Sequence, residues 1–140
     1  MKHALIAFAL CLTFNLSAHA QTKTSDAAAI GATVTNYIEA YYAGDAARMQ
    51  ATMHTHYLKH IIHGDIPMRE RTGEQMVQSV RSNGPADMPA REKTEQVSVM
   101  DISGEIASAK LVTPHWVDYM TLQKVNGDWK ILSVVQRIDD

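Results

Sequence analysis

The chain predicts an α+β fold, with helices in its N-terminal half followed by a mostly antiparallel sheet. Three observations predict it. Between residues 24 and 43 the apolar side chains Ile30, Val34, Tyr37, Ile38 and Tyr41 recur at spacings of three and four, which is the period of a helix with one buried stripe. From Lys93 onward the pattern changes to the alternation of strands that bury one face. Near the C-terminus, two β-rich runs flank Val125-Asn126-Gly127-Asp128, and an Asn-Gly pair between such runs is the strongest short-range hairpin signal. Helices first and a meander afterwards place the helices on one side of the sheet.

The first twenty residues read as an export leader. Met1-Lys2-His3 is a short basic start, Ala4 to Leu16 is mostly apolar, and Ala18-His19-Ala20 has the small-x-small pattern of a signal-peptidase site. The apolar run is too short to span a bilayer, which takes about 20 residues, so no membrane insertion is expected after cleavage. A lipid anchor on Cys11 would want a small residue where Leu10 stands. Cleavage leaves residues 21–140 as a single domain with one core, periplasmic or secreted. Cys11 is the only cysteine and leaves with the leader, so the exported domain depends on packing rather than on disulfides. Thirteen basic residues stand against 15 acidic ones without a basic cluster, which argues against nucleic acid and anionic membranes as partners.

The first helix is expected over residues 24–43, capped by Thr24 or Ser25 and ended by Gly44 in the left-handed conformation. Asp45 then reads as the N-cap of a short second helix from Ala46 to about Met53. Tyr57 to His63 has the β-branched and aromatic content of a short edge strand, ended by Gly64-Asp65 and Pro67. A third helix covers Thr72 to Arg81 with Met76, Val77 and Val80 inward, and Asn83-Gly84-Pro85 stops it. Residues 86–90 are a loop. Strands follow at 93–102 and 105–113, the second carrying Ala107, Ala109, Leu111 and Thr113 on one face. Pro114 breaks or bulges the line before the third sheet strand, whose one face would hold Trp116, Asp118, Met120 and Leu122. A one-residue slip at Pro114 would reverse that face. Trp129 reads as a packing anchor at the start of the last strand.

Taken in order, Tyr41-Tyr42-Ala43-Gly44-Asp45, Met53-His54, Gly104 to Lys110, Val117 to Leu122 and Asn126-Gly127-Asp128-Trp129-Lys130-Ile131 resemble the nuclear transport factor 2-like superfamily. Within it the chain looks most similar to the family labelled putative lumazine-binding proteins. The resemblance spans nearly all of residues 21–140. It implies a cone-shaped roll of N-terminal helices packed in a bent, mostly antiparallel sheet, with a cavity open at one end. It also implies a homodimer through the outer sheet face. Superfamily members include isomerases, dehydratases, ligand-binding proteins and dimerisation modules, so the fold leaves function open.

Asp118 is the sharpest candidate for chemistry. An acid among Trp116, Met120 and Leu122 would be desolvated, which raises its pKa and suits it to proton transfer. The resemblance implies an aspartate or an Asp-His pair in the cone, and His60 or His54 would be the histidine. The bland reading is that Asp118 accepts hydrogen bonds from a backbone amide, Tyr41 or Tyr42 and orders the core. The expected pocket residues are Tyr41, His54, Trp116, Asp118 and Met120. Four of the seven histidines (His54, His56, His60, His63) crowd one segment, which raises metal binding as an alternative. Neither a strand nor a helix gathers all four on one face, so polar edge and loop histidines are the favoured reading and no metal or cofactor is expected. The expected function is an exported small-molecule-binding domain with a partly apolar conical cavity. The alternatives are an isomerase- or dehydratase-type enzyme using Asp118 with a histidine, and a non-catalytic dimerisation module.

Overall fold

A computed structural model describes residues 10–139, with side chains from Ser25 onward. The expected leader, residues 1–20, lies outside the residues whose side chains are described. Three helices and six strands follow in the order α1 (Leu10–Ala43), α2 (Ala46–Thr52), β1 (Met53–His63), β2 (Ile66–Thr72), α3 (Gly73–Asn83), β3 (Gln96–Ser103), β4 (Ile106–Val112), β5 (Trp116–Val125) and β6 (Asp128–Ile138). The strands form one sheet in the order β2-β1-β6-β5-β4-β3. Every neighbouring pair is antiparallel except β1 with β6, which is parallel. This is the expected α+β architecture, with the meander β3-β4-β5-β6 intact and the sheet open rather than closed.

The helices depart from expectation at one end and match it at the others. Helix α1 runs back to Leu10, so Thr24 and Ser25 lie inside it and do not cap it. Gly44 ends it with φ 70°, and a Cβ there would stand 2.3 Å from the backbone carbon of Gly84. Glycine is therefore required twice at this position, by backbone conformation and by close approach. Asp45 caps α2 by accepting a bond from the Arg48 backbone N–H at 2.9 Å. Thr72 caps α3 through a reciprocal exchange with Gln75, which satisfies two otherwise orphaned donors.

The short edge strand expected at Tyr57–His63 is a correction. The element is an 11-residue strand, and it lies second from the edge because β2 pairs on its other side. Strand β2, Ile66–Thr72, escaped the sequence reading because Pro67 breaks its pattern and its residues are mostly exposed. An outermost strand tolerates proline, since one row of its backbone groups faces solvent.

Pro114 causes no slip. The β4–β5 ladder runs without interruption from Val112↔Val117 to Ile106↔Gln123, so Pro114 sits outside it in a turn. Thr113 closes that turn, its Oγ1 accepting from the Trp116 backbone N–H at 3.1 Å. The register shift lies elsewhere: Thr121 pairs with Ser133 but Leu122 pairs with Ile131, leaving Leu132 as an extra residue in β6. Such a bulge inverts the side-chain alternation beyond it. Trp129 and Ile131 are buried before it, and Val134 and Gln136 after it. Asn126 (φ 52°) and Gly127 (φ 90°) form the two-residue hairpin loop, the positive φ at both positions being what a type I′ turn demands.

The core lies between the helices and the inner sheet face. Ile30, Val34 and Ile38 of α1 join Ala109, Leu111, Leu122, Ile131 and Val134 in one buried cluster. Among the described residues, no helix is long and apolar enough to cross a membrane.

Candidate functional site

Strand alternation brings an acid and a base to the same inner face. On β5 the inward residues are Asp118, Met120 and Leu122, as expected. On β1 they are Tyr57, Lys59 and Ile61, so a lysine occupies an apolar-face position two strands away. Asp118 is 0% exposed and Lys59 4%. Lys59 Nζ donates to Asp118 Oδ2 at 3.4 Å and to the Tyr37 hydroxyl at 3.3 Å. The Tyr37 and Tyr57 hydroxyls are 2.9 Å apart, completing a buried polar row of four groups. Gln136 stands directly across the ladder from Asp118, placed there by the bulge at Leu132.

Asp118 Oδ1 has no hydrogen-bond partner within the protein. An unpartnered buried carboxylate oxygen is costly, since it surrenders water and receives nothing in return. Asp118 borders a cavity of about 310 Å³, whose most buried lining residues include Tyr37, Met49 and Lys59 beside it. Towards the solvent the walls are Tyr41 and Trp116, Ile61, Arg71 at the end of β2, Met76 and Ser79 on α3, and Gln136 and Ile138. Tyr41 and Trp116 meet edge to face at 5.8 Å between ring centroids. The space is of the size that holds small ligands, mostly apolar with a few convergent polar groups.

The electrostatics push both partners towards neutrality. Burial raises the pKa of Asp118, and the nearby Lys59 opposes that rise by its charge and hydrogen bond, with the Gln136 side chain adding to the opposition. Burial lowers the pKa of Lys59, and Asp118 opposes that fall while Arg71 adds to it. Burial, with Tyr57 and Asp118 beside it, lifts Tyr37 well above the ordinary tyrosine value. Tyr57 is raised by burial too. The site therefore holds a carboxyl and an amine within one proton transfer of each other, where both charged forms are disfavoured by the surroundings.

Residues 25–136 match the family described as "Putative lumazine-binding". The chain belongs to this family. Solved structures in the nuclear transport factor 2-like superfamily share its fold. An NTF2-like protein of unknown function from Shewanella baltica OS155 aligns with a TM-score of 0.69 at 18% identity, covering 84% of this chain and 96% of that one. A ketosteroid isomerase-like protein from Erwinia carotovora atroseptica SCRI1043 aligns at 0.60 and 14% identity, covering 82% and 97%. A putative dehydratase of the NTF2-like family from Streptomyces avermitilis aligns at 0.55 and 15% identity, covering 84% and 99%. No curated protein matches the chain in sequence.

Tyr41, Trp116 and Asp118 of the expected pocket residues do border the cavity of this family member, whereas Met120 is buried in the core beside it. His60 is a correction: it lies on the opposite face of β1 from Lys59, and its Nε2 is 3.1 Å from Glu70 on β2. Period-two alternation makes it impossible for His60 and Lys59 to share a face in an unbroken stretch of strand. His54 is also outside, bordering a separate surface groove with Gln50, Met53 and Arg81, and its Nδ1 accepts from the His56 backbone N–H. Among the described residues, no three His, Cys, Asp or Glu side chains come together in a metal-holding group. The donor to Asp118 is neither Tyr41 nor Tyr42; Tyr42 instead donates to the Thr94 carbonyl at 3.1 Å, and burial pushes its pKa up to about 12. The residues missed from sequence are Lys59, Arg71 and Gln136. The signal for Lys59 was present, as a lysine between Tyr57 and Ile61 on the apolar face of a strand.

Proposed function

We propose that this domain binds a small, partly apolar molecule in the cavity, with a hydrogen-bond donor of the ligand meeting Asp118. The observation that carries the reading is that Asp118, a fully buried residue with an unpartnered Oδ1, borders a space of about 310 Å³. A ligand hydroxyl or N–H there would satisfy the oxygen that the protein leaves open. The family's description is consistent with a small-molecule ligand, although nothing in the site is particular to a lumazine. Native mass spectrometry of protein purified from its own cell envelope tests the proposal. The expected result is one small molecule per chain, lost on Asp118→Ala. A ligand-free mass, together with no thermal shift across a broad panel of small hydroxy- and amino-compounds, would overturn it.

A second reading is proton transfer on a bound carbonyl compound, of the isomerase or dehydratase kind. The carboxyl of Asp118, raised by burial, beside the amine of Lys59, lowered by burial, favours it, because the two shifts bring the proton affinities of acid and base closer together. Lys59 takes the place that a histidine was expected to hold. Unchanged turnover in Asp118→Asn, on ketone, dienol or hydroxy-ketone probes that the parent converts, would exclude it.

We also propose export to the periplasm or beyond and pairing as a homodimer. The first is supported by the leader pattern in residues 1–20. The second is supported by Ile106, Tyr119 and Val135, exposed large apolar residues on β4, β5 and β6. Cell fractionation with N-terminal sequencing checks the former, and light scattering of the purified domain checks the latter.

A further inference from the structure

Strands β1 and β2 set two cations side by side. Lys59 and Arg71 are direct partners in the antiparallel ladder, so their side chains leave the same face of the sheet, and both border the cavity. Like charges directly opposite one another are destabilising. A single carboxylate, Asp118, answers them: it is the only acidic residue bordering the cavity, and its one engaged oxygen goes to Lys59. Among the described residues, no carboxylate lies within ion-pair distance of Arg71. Glu70, its neighbour on β2, is held by His60 on the other face. Glu74, across the outer groove that Arg71 also borders, is beyond ion-pair reach. The cavity thus carries two positive groups against one negative one. Arg71 is half-buried, and Asp118 is fully buried, so the excess cation lies on the solvent side of the acid.

We infer that the cavity is built for a monoanionic ligand, a small carboxylate with an apolar or aromatic body. This rests on the reading that the cavity binds a small molecule, and it specifies which kind. The carboxylate lies against the guanidinium of Arg71, whose planar fork suits two parallel hydrogen bonds to such a group. The body of the ligand fills the space between Tyr41, Trp116 and Ile61, and its far end donates a hydrogen bond to Asp118 Oδ1. One negative charge balances the two cations and the acid, whereas a phosphate dianion would overshoot that balance. The volume equals that of roughly ten water molecules, which admits a single substituted ring or a short chain.

The test is a matched pair of probes at two lengths: 4-hydroxyphenylacetate and 3-(4-hydroxyphenyl)propanoate, each against its neutral primary amide. Binding to the full exported domain is followed by calorimetry and by tryptophan fluorescence, to which Trp116 at the cavity wall contributes. At least one acid is expected to bind ten-fold or more tightly than its amide. In Arg71→Gln that ratio should fall to about one, chiefly through loss of acid affinity, and Arg71→Lys should restore part of it. Equal affinities of acid and amide in the parent, or a ratio that Arg71→Gln leaves unaltered, would overturn the charge assignment while sparing the binding reading. Failure of all four probes to bind would overturn the carboxylate assignment, and the native mass of the purified protein then decides the binding reading separately. Circular dichroism of the variants guards against misfolding, and the amide affinity itself reports an intact cavity.

Discussion

Replacing Lys59 by methionine removes the one cation that meets the buried carboxylate, and the consequences can be worked from the geometry. At the observed 3.4 Å, with an effective dielectric constant of ~20, the attraction is about 5 kcal/mol. Loss of one partner leaves the other buried and uncompensated, which typically costs about 3–5 kcal/mol, or roughly 10–20 °C in Tm for a domain of this size. The two single variants should lose stability in opposite pH windows. In Lys59→Met the carboxyl of Asp118, raised by burial, loses the charge that held it down. A group raised above its unfolded value contributes stability below that value and loses it as pH climbs through the folded one. The deficit is therefore small at about pH 4 and widens towards neutrality. In Asp118→Asn the amine of Lys59, lowered by burial, loses the carboxylate that held it up. A lowered amine contributes stability above its unfolded value of about 10.4 and loses it as pH falls through the folded one, so this deficit widens as pH falls from about 10. The double variant Lys59→Met/Asp118→Leu fills the same space with apolar groups and should recover most of the loss at neutral pH. Urea denaturation at three pH values measures all of this. Single-variant deficits that do not change with pH, or a double variant that loses the sum of the two, would refute the pairing.

Three further predictions concern the frame around the site. Gly44→Ala should destabilise by more than about 2 kcal/mol in thermal or urea denaturation, because the added Cβ meets the Gly84 backbone and the residue must hold a positive φ. Asp26 joins Lys124 Nζ at 2.7 Å and Trp129 Nε1 at 3.0 Å, tying α1 to the terminal hairpin. Those two bonds hold its pKa down, so Asp26→Asn should lower Tm at neutral pH, with the difference fading as pH falls through the folded-state pKa. His60→Ala should change stability by no more than about 0.5 kcal/mol and leave ligand affinity untouched, since its contact with Glu70 lies on the half-exposed outer face; a ten-fold loss of affinity would contradict that placement.

The terminal hairpin was legible because local chemistry decides it. Asn126-Gly127 permits one loop geometry, and the period-two pattern of Trp116 to Leu122 then assigns faces without help from the rest of the molecule. Asp118 was found in the same way, as a polar exception on an apolar face. The first helix was legible in type and at its C-terminal end, where Gly44 has a steric role, but its start could not be read from Thr24 or Ser25 because a capping residue type does not force a cap. What escaped depends on pairing between distant segments. Strand β2 has no buried face to impose alternation, and only its ladder with β1 makes it a strand. The cross-strand meeting of Lys59 with Arg71 has no local trace. Gln136 faces inward only because Leu132 is bulged, and no proline or glycine marks that position. His60 drew attention as one of four histidines, yet composition cannot say which face a residue takes; one position earlier in the same strand lay the group that does reach Asp118.

The buried pair is better understood as a feature of the cavity than as a support of the fold. Exchanging such a pair for apolar groups is often neutral or stabilising, so its presence alone is weak evidence for stability. Elsewhere the core of this protein is apolar, with Ile30, Val34, Leu111, Leu122 and Ile131 fully buried. The polar groups instead gather at one end: Lys59, Asp118, Tyr37 and Tyr57 in a row, with Arg71 opposite Lys59 and one carboxylate oxygen left open. A fold optimised only for stability would close that oxygen or replace the acid. A site that must receive a ligand keeps it open, because the desolvation already borne by Asp118 need not be borne again when the ligand arrives. On that argument the destabilisation stored in the empty cavity is returned on binding. The ligand-bound protein should therefore gain more stability from Asp118 than the ligand-free protein does, and the gain should be largest where Asp118 is ionised.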